Sequence, residues 1–232
     1  MEKRKRKIIQ LIIIFLLAFI GGYINVFSLL TSYNYSISHA TGNSSKLAEA
    51  YFLRDFQKFK EYSSLLLSFL FGATTSGYVI GNSDFKIRRK YGYMLIYNAS
   101  LLFLSQSLIE LNIFFGILLL SYICGVQNSL IIKFNGALVR TTHLTGTITD
   151  LGVNIGNFFR TKYLDKWRFL LNNILIFGFI FGGFVSIDAF YLFKIESLKF
   201  PGYIYFLIGF TYNIMNYFDK NKKIKNPFKF RI

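Results

Sequence analysis

Six stretches of the chain run for about 18 to 24 residues with almost no charge: Ile8–Leu30, Tyr62–Gly81, Tyr91–Ile109, Ile113–Ile132, Phe169–Leu192 and Pro201–Phe218. Only the fifth holds a charged residue, Asp188 near its end. At 1.5 Å of rise per residue, this is the length an α-helix needs to cross roughly 30 Å of hydrocarbon. The pattern predicts an all-α, polytopic integral membrane protein with six transmembrane helices, folded as a single membrane domain over residues 1–232.

Two polar segments interrupt this pattern and resemble each other. "SHATGNSSKLA" (Ser38 to Ala48) and "RTTHLTGTITDLG" (Arg140 to Gly152) share H-x-T-G, with His39 on His143, Thr41 on Thr145, Gly42 on Gly146 and Leu47 on Leu151, 104 residues apart. Upstream, "GYIN" (Gly22 to Asn25) matches "GVQN" (Gly125 to Asn128) with a one-residue slip. Downstream, Gly72 and Gly77 align with Gly178 and Gly183 at an offset of 106. Each unit reads as a helix with G-x-x-N, a polar segment, a glycine-bearing helix and a third helix. Repeat one covers about 8–110, repeat two about 113–218, and a basic tail fills 219–232. An odd number of spans separates the copies, which predicts two inverted three-helix repeats, an architecture common among secondary transporters.

Composition narrows the class. Hydrophobic residues make up 53% of the 232, aromatic residues 19%, and the mean hydropathy is +0.41. The net charge of +16 would suit nucleic acid, but the basic residues gather at "MEKRKRK", "FKIRRK" and "DKNKKIKNPFKFRI", each beside an apolar run. That placement fits the positive-inside rule and contact with anionic lipid headgroups, and argues against a nucleic-acid partner. With "MEKRKRK" inside, the "KIRRK" loop, the linker from Arg140 to Arg168 and the tail are cytoplasmic, so both termini face the cytoplasm. Lys46, Arg54, Lys58 and Lys60, in the external segment from Thr31 to Glu61, count against this orientation. The basic start followed by an apolar run imitates a signal peptide, but the run is too long for an h-region and reads as an uncleaved first helix.

Candidate chemistry centres on the two polar segments. Thr-Gly followed by a helical pattern reads as a loop ending at a helix N-terminus, where glycine serves an unusual backbone angle or a close approach. Non-helical backbone at membrane depth is tolerated only where protein or water satisfies it, so such a break lines a cavity. In the inverted arrangement the breaks meet near the bilayer midplane, with two helix N-termini suited to a small anion or polar solute. The expected solute-binding residues are His39, Thr41, Gly42, Asn43, His143, Thr145, Gly146 and Thr147, with Asn25 and Asn128. The plainer alternative is capping and loop packing. Both histidines of the chain fall at the same repeat position, which favours the lining role.

Other features carry less. Gly77–Gly81 and Gly178–Gly182 are G-x-x-x-G runs, read as intramolecular helix packing with a homo-oligomer contact as the alternative. Asp188 reads as an interfacial residue and Asp150 as one that favours its helix N-terminus through the dipole, with carrying a proton as the alternative for either. Cys124 is the only cysteine, so neither an intramolecular disulfide nor a cysteine metal site can form. No catalytic motif, Walker A pattern or metal-ligand spacing is present, so we expect no enzymatic activity, cofactor or metal.

With "GGYIN…SHATGN" in the first half and "GVQNSL" before "TTHLTGTITDLG" in the second, the chain resembles the YoaK-like family of uncharacterised bacterial multi-pass membrane proteins over about Gly21 to Phe184. The most specific pieces are Thr141, Thr142, Thr145, Gly146, Thr147, Thr149, Leu151 and Gly152, and Thr41, Gly42 and Asn43. The resemblance implies location in the bacterial cytoplasmic (plasma) membrane and no assigned substrate. Many members carry Asp where Asn25 stands, so a proton coupled through that carboxyl in relatives has no counterpart here. Three readings follow: a transporter or channel for a small polar or anionic solute, a non-transporting membrane protein such as an assembly factor or sensor, and an intramembrane lipid enzyme without a recognisable catalytic set.

Overall fold

The structure is a computed structural model that describes residues 2–81, 89–131, 133–134 and 137–225. Most of the "FKIRRK" loop, the end of the fourth apolar run at Ile132 and the tail beyond Lys225 lie outside the described residues. Eight α-helices are described: α1 (Glu2–Leu30), α2 (Ala40–Phe52), α3 (Phe56–Ile80), α4 (Arg89–Leu111), α5 (Ile113–Leu130), α6 (Leu144–Thr161), α7 (Lys166–Phe193) and α8 (Lys199–Lys225). A 3₁₀ turn, Lys194–Leu198, joins α7 to α8. The fold is all-helical, as expected, with one small addition, a two-residue antiparallel ladder between β1 (Lys133–Phe134) and β2 (Ala137–Leu138). It sits in the return from α5 to α6, where the chain reverses and pairs its backbone locally.

Among the described residues, five helical stretches are long and apolar enough to cross a membrane: Lys7–Leu30, Phe56–Ile80, Lys90–Leu111, Ile113–Leu130 and Lys166–Tyr217. The last runs for 52 residues through α7, the 3₁₀ turn and α8. The protein is therefore helical and of membrane type. The second stretch begins earlier than its apolar run, because Asp55 caps α3 by accepting from the Lys58 N–H at 2.9 Å. Lys58, Lys60 and Glu61 accordingly lie in its first turns and not in a loop. Large apolar side chains such as Leu67, Leu70, Phe71, Phe181, Phe184 and Leu207 face outward, as lipid-facing positions would.

Packing follows the glycines. Gly22 of α1 lies against the backbone of Phe179, and Gly182 of α7 against that of Phe19, so closely that a Cβ on either would fall on the opposing carbonyl. Gly125 of α5 and Phe69 of α3 repeat the arrangement, as do Gly72 of α3 and Tyr122 of α5. Both helix pairs run parallel: Lys7 meets Trp167 and Phe27 meets Phe190, while the Ser121 hydroxyl donates to the Leu65 carbonyl and that of Ser129 to Ala73. Small residues let backbones approach to dispersion range, the common means of helix association where the surroundings are as apolar as the helix. Helices α4 and α8 instead run antiparallel, with Gly92 on Gly209 and Tyr203 on Phe103.

These contacts change the alignment of the halves. Gly22 corresponds to Gly125, but Gly72 corresponds to Gly182, 110 residues on, and not to Gly178 at 106. The step from 104 to 110 has a local cause. Helix α6 has 18 residues against 13 in α2, and the linker after it, residues 162–165, is one longer than residues 53–55. The aspartates that cap α3 and α7, Asp55 and Asp165, are again 110 apart.

The two G-x-x-x-G runs differ. Gly178 and Gly182 pack on α1, whereas a Cβ at Gly77 or Gly81 would meet nothing within 4 Å, contrary to the expectation of intramolecular packing for both. Five residues beyond Gly72, Gly77 has turned to the far side of α3, away from α5. Alanine at Gly22, Gly72, Gly125 or Gly182 should therefore lower stability by about 1–3 kcal/mol through forced helix separation, while Gly77→Ala should leave it unchanged. Thermal melts of detergent-purified variants would check this ordering.

Candidate functional site

The segments before α2 and α6 each turn back from a long helix and start a new one at a histidine. His39 is the N-cap of α2 and His143 that of α6, and neither start has a side-chain cap bond. The helices begin at Ala40 and Leu144, so Thr41, Gly42, Thr145 and Gly146 belong to first turns and not to the preceding loop. Neither Gly42 nor Gly146 has positive φ; among the described glycines only Gly81 does. Their role is close approach. A Cβ would lie 2.5 Å from His39 Nδ1 at Gly42 and 2.9 Å from His143 Nδ1 at Gly146, so each imidazole folds over the bare Cα of its own first turn.

The asparagine of each G-x-x-N holds the turn-back in place. Asn25 Oδ1 accepts from the Ser38 N–H at 3.0 Å, the Ser38 hydroxyl at 2.8 Å and the Ser36 hydroxyl at 3.1 Å. Asn128 Oδ1 accepts from the Thr142 N–H at 3.3 Å, the equivalent position in the second half. Backbone that leaves a helix in an apolar setting needs such partners, because an orphaned amide there costs several kcal/mol.

Further fastenings differ between the halves. In the first, the Tyr35 hydroxyl donates to buried Glu61, and Lys58 Nζ reaches both Glu61 and the Tyr35 oxygen at 2.9 Å. Burial first, then the bond to Glu61, raises the Tyr35 pKa well above the usual phenol range. In the second, Gln127 Nε2 donates to Thr141 Oγ1 at 2.8 Å and to the Leu17 carbonyl at 2.7 Å, and Tyr205 donates to Gln127 Oε1.

A cavity of about 640 Å³ opens between the two turn-backs. Six of the ten expected site residues line it: Asn25, His39, Thr41, Asn128, His143 and Thr145. The other four do not. Gly42 and Gly146 lie beneath the imidazoles, Asn43 Nδ2 donates to the Ser36 carbonyl at 3.0 Å, and the buried Thr147 hydroxyl donates to the His143 carbonyl at 3.0 Å. Asp150 and Asp188 are exposed and absent from the lining. The wall also holds residues that sequence reasoning missed: Ser36, Ser38, Phe69, Arg140, Thr142 and Phe179. Extending the 104-residue match one place upstream of the histidines would have found Ser38 and Thr142, and the 110-residue match pairs Phe69 with Phe179. Arg140 had been counted only as loop charge.

Apolar helices long enough to span, closing around a polar cavity, define a helical membrane protein. The sequence profile of DUF1275, a family of proteins of unknown function, matches residues 13–211, and the chain belongs to that family. No curated protein and no solved structure matches it.

The asparagine geometry yields a test. Because Asn25 serves as an acceptor through Oδ1, Asn25→Asp should retain the fold, whereas Asn25→Leu should lose about 1–3 kcal/mol by orphaning the Ser38 amide. Melting temperatures would separate the two. Gly42→Ala and Gly146→Ala strike only a rotatable ring, so they should fold normally and displace their imidazoles, visible as shifted histidine NMR signals.

Proposed function

We propose that this chain is a six-span, inverted-repeat transporter or channel of the bacterial cytoplasmic membrane, with both termini cytoplasmic, that passes a small polar or anionic solute through the cavity between its two turn-backs. One observation carries this reading: residues 103 to 110 positions apart in sequence line the same cavity, Asn25 and Asn128, His39 and His143, Phe69 and Phe179. A plain linker would have no reason to bring both copies to the same place. Parallel pairing of α1 with α7 and of α3 with α5, and antiparallel pairing of α4 with α8, are what a pseudo-two-fold axis in the membrane plane generates. Division of the 52-residue stretch at the 3₁₀ turn supplies the sixth span. The family likeness to YoaK-like bacterial proteins agrees with this location.

In this reading the cavity is reached alternately from either face, and small shifts of α2 against α3, and of α6 against α7, open one entrance at a time. Cysteines at His39 and His143, with Cys124 replaced by Ser, should join through short cross-linkers or give spin-label separations of about 15 Å or less, half the hydrocarbon thickness. A separation near the full thickness would defeat the shared cavity. A C-terminal reporter that is active only outside the cytoplasm should stay silent, and its activity would remove the even span count on which inversion depends.

A further inference from the structure

We propose that the cavity's occupant is a small oxyanion, a carboxylate, phosphate or sulfate group, held by Arg140 between the starts of α2 and α6; this deepens the transport reading and rests on it. The argument is an inventory of donors and acceptors. Both asparagine oxygens on the wall are spent on the chain itself, Asn25 Oδ1 on Ser36 and Ser38 and Asn128 Oδ1 on the Thr142 amide. The other polar groups on the wall are the Asn25 and Asn128 Nδ2 groups, which donate to no described residue, the hydroxyls of Thr41 and Thr145, which can donate or accept, and the imidazoles of His39 and His143. The first-turn amides of two helices add further N–H groups, with no side-chain cap at either start.

Two further observations point to a bound group. Thr142 is a lining residue, is 6% exposed, and its buried hydroxyl has no partner among the described residues. Arg140 also lines it, makes no ion pair with any described residue, and has no carboxylate among its companions on the wall. The Arg140 guanidinium is exposed and stands on a mostly polar wall without a counter-ion among the described residues. Its planar fork of N–H groups matches the oxygens of a carboxylate, phosphate or sulfate, and the partial positive charge of two helix starts adds to the same side of the balance. Neutral solutes would leave the cation unmatched. A cation would meet a second positive charge.

The test uses the full chain, purified in detergent, with radiolabelled sulfate, inorganic phosphate and acetate in equilibrium binding, and glycerol as the neutral probe. At least one anion should bind saturably while glycerol does not. Arg140→Gln should weaken that binding by about 10- to 100-fold, the worth of a charge-assisted contact, with an unchanged melting temperature. Arg140→Lys should recover part of it, and Thr142→Val should weaken it less. Which anion binds best separates inorganic from organic sources. The proposal is overturned if the wild-type chain binds none of the three, or if Arg140→Gln binds as tightly as the parent. Should either occur while the His39 and His143 cross-link still forms, the shared cavity survives and only its anionic occupant is lost.

Discussion

Backbone-to-backbone contact at four glycines is the constraint on which the rest of this molecule depends. Gly22 against Phe179 and Gly182 against Phe19 bring α1 and α7 together, and Gly125 with Phe69 and Gly72 with Tyr122 do the same for α5 and α3. Because each contact is at carbonyl distance, the helices have almost no freedom to slide. Asn25 and Asn128 lie three residues beyond Gly22 and Gly125, so fixing the glycines fixes the height at which each asparagine can catch the returning chain. The position of His39 and His143, and hence of the cavity between them, follows from that height.

Much of this was legible because apolarity and repetition leave strong traces in sequence. Uncharged runs marked the helices, and H-x-T-G located two equivalent helix starts. What could not be read was the register beyond them. The offset of 106 matched glycines that look alike in sequence, whereas the contact that decides equivalence is made by Gly72 and Gly182. The extra residues fall in α6 and its linker, where residues 155–163 are all exposed, and exposed positions leave no periodic apolar signal. The same blindness hid Arg140, since a positive-inside count treats every loop arginine alike, while only folding shows that this one faces the cavity.

The glycines of H-x-T-G are a case where the residue was right and the reason different. Positive φ was one expectation, yet the backbone there is ordinary helix, and the missing Cβ makes room for the chain's own imidazole. Such packing between a histidine and the glycine three residues on depends on a rotamer, which no spacing rule encodes.

Tyr35, Glu61 and Lys58 have no equivalents in the other half, where Val139, Leu171 and Arg168 occupy the matching positions. On the inverted-repeat reading proposed above, two copies facing opposite ways would exchange between arrangements of equal energy only if both were fastened alike. Here a buried carboxylate, Glu61, ties one turn-back and a buried amide, Gln127, ties the other. On that reading the two facings would differ in energy, and the difference would lie in these unlike fastenings.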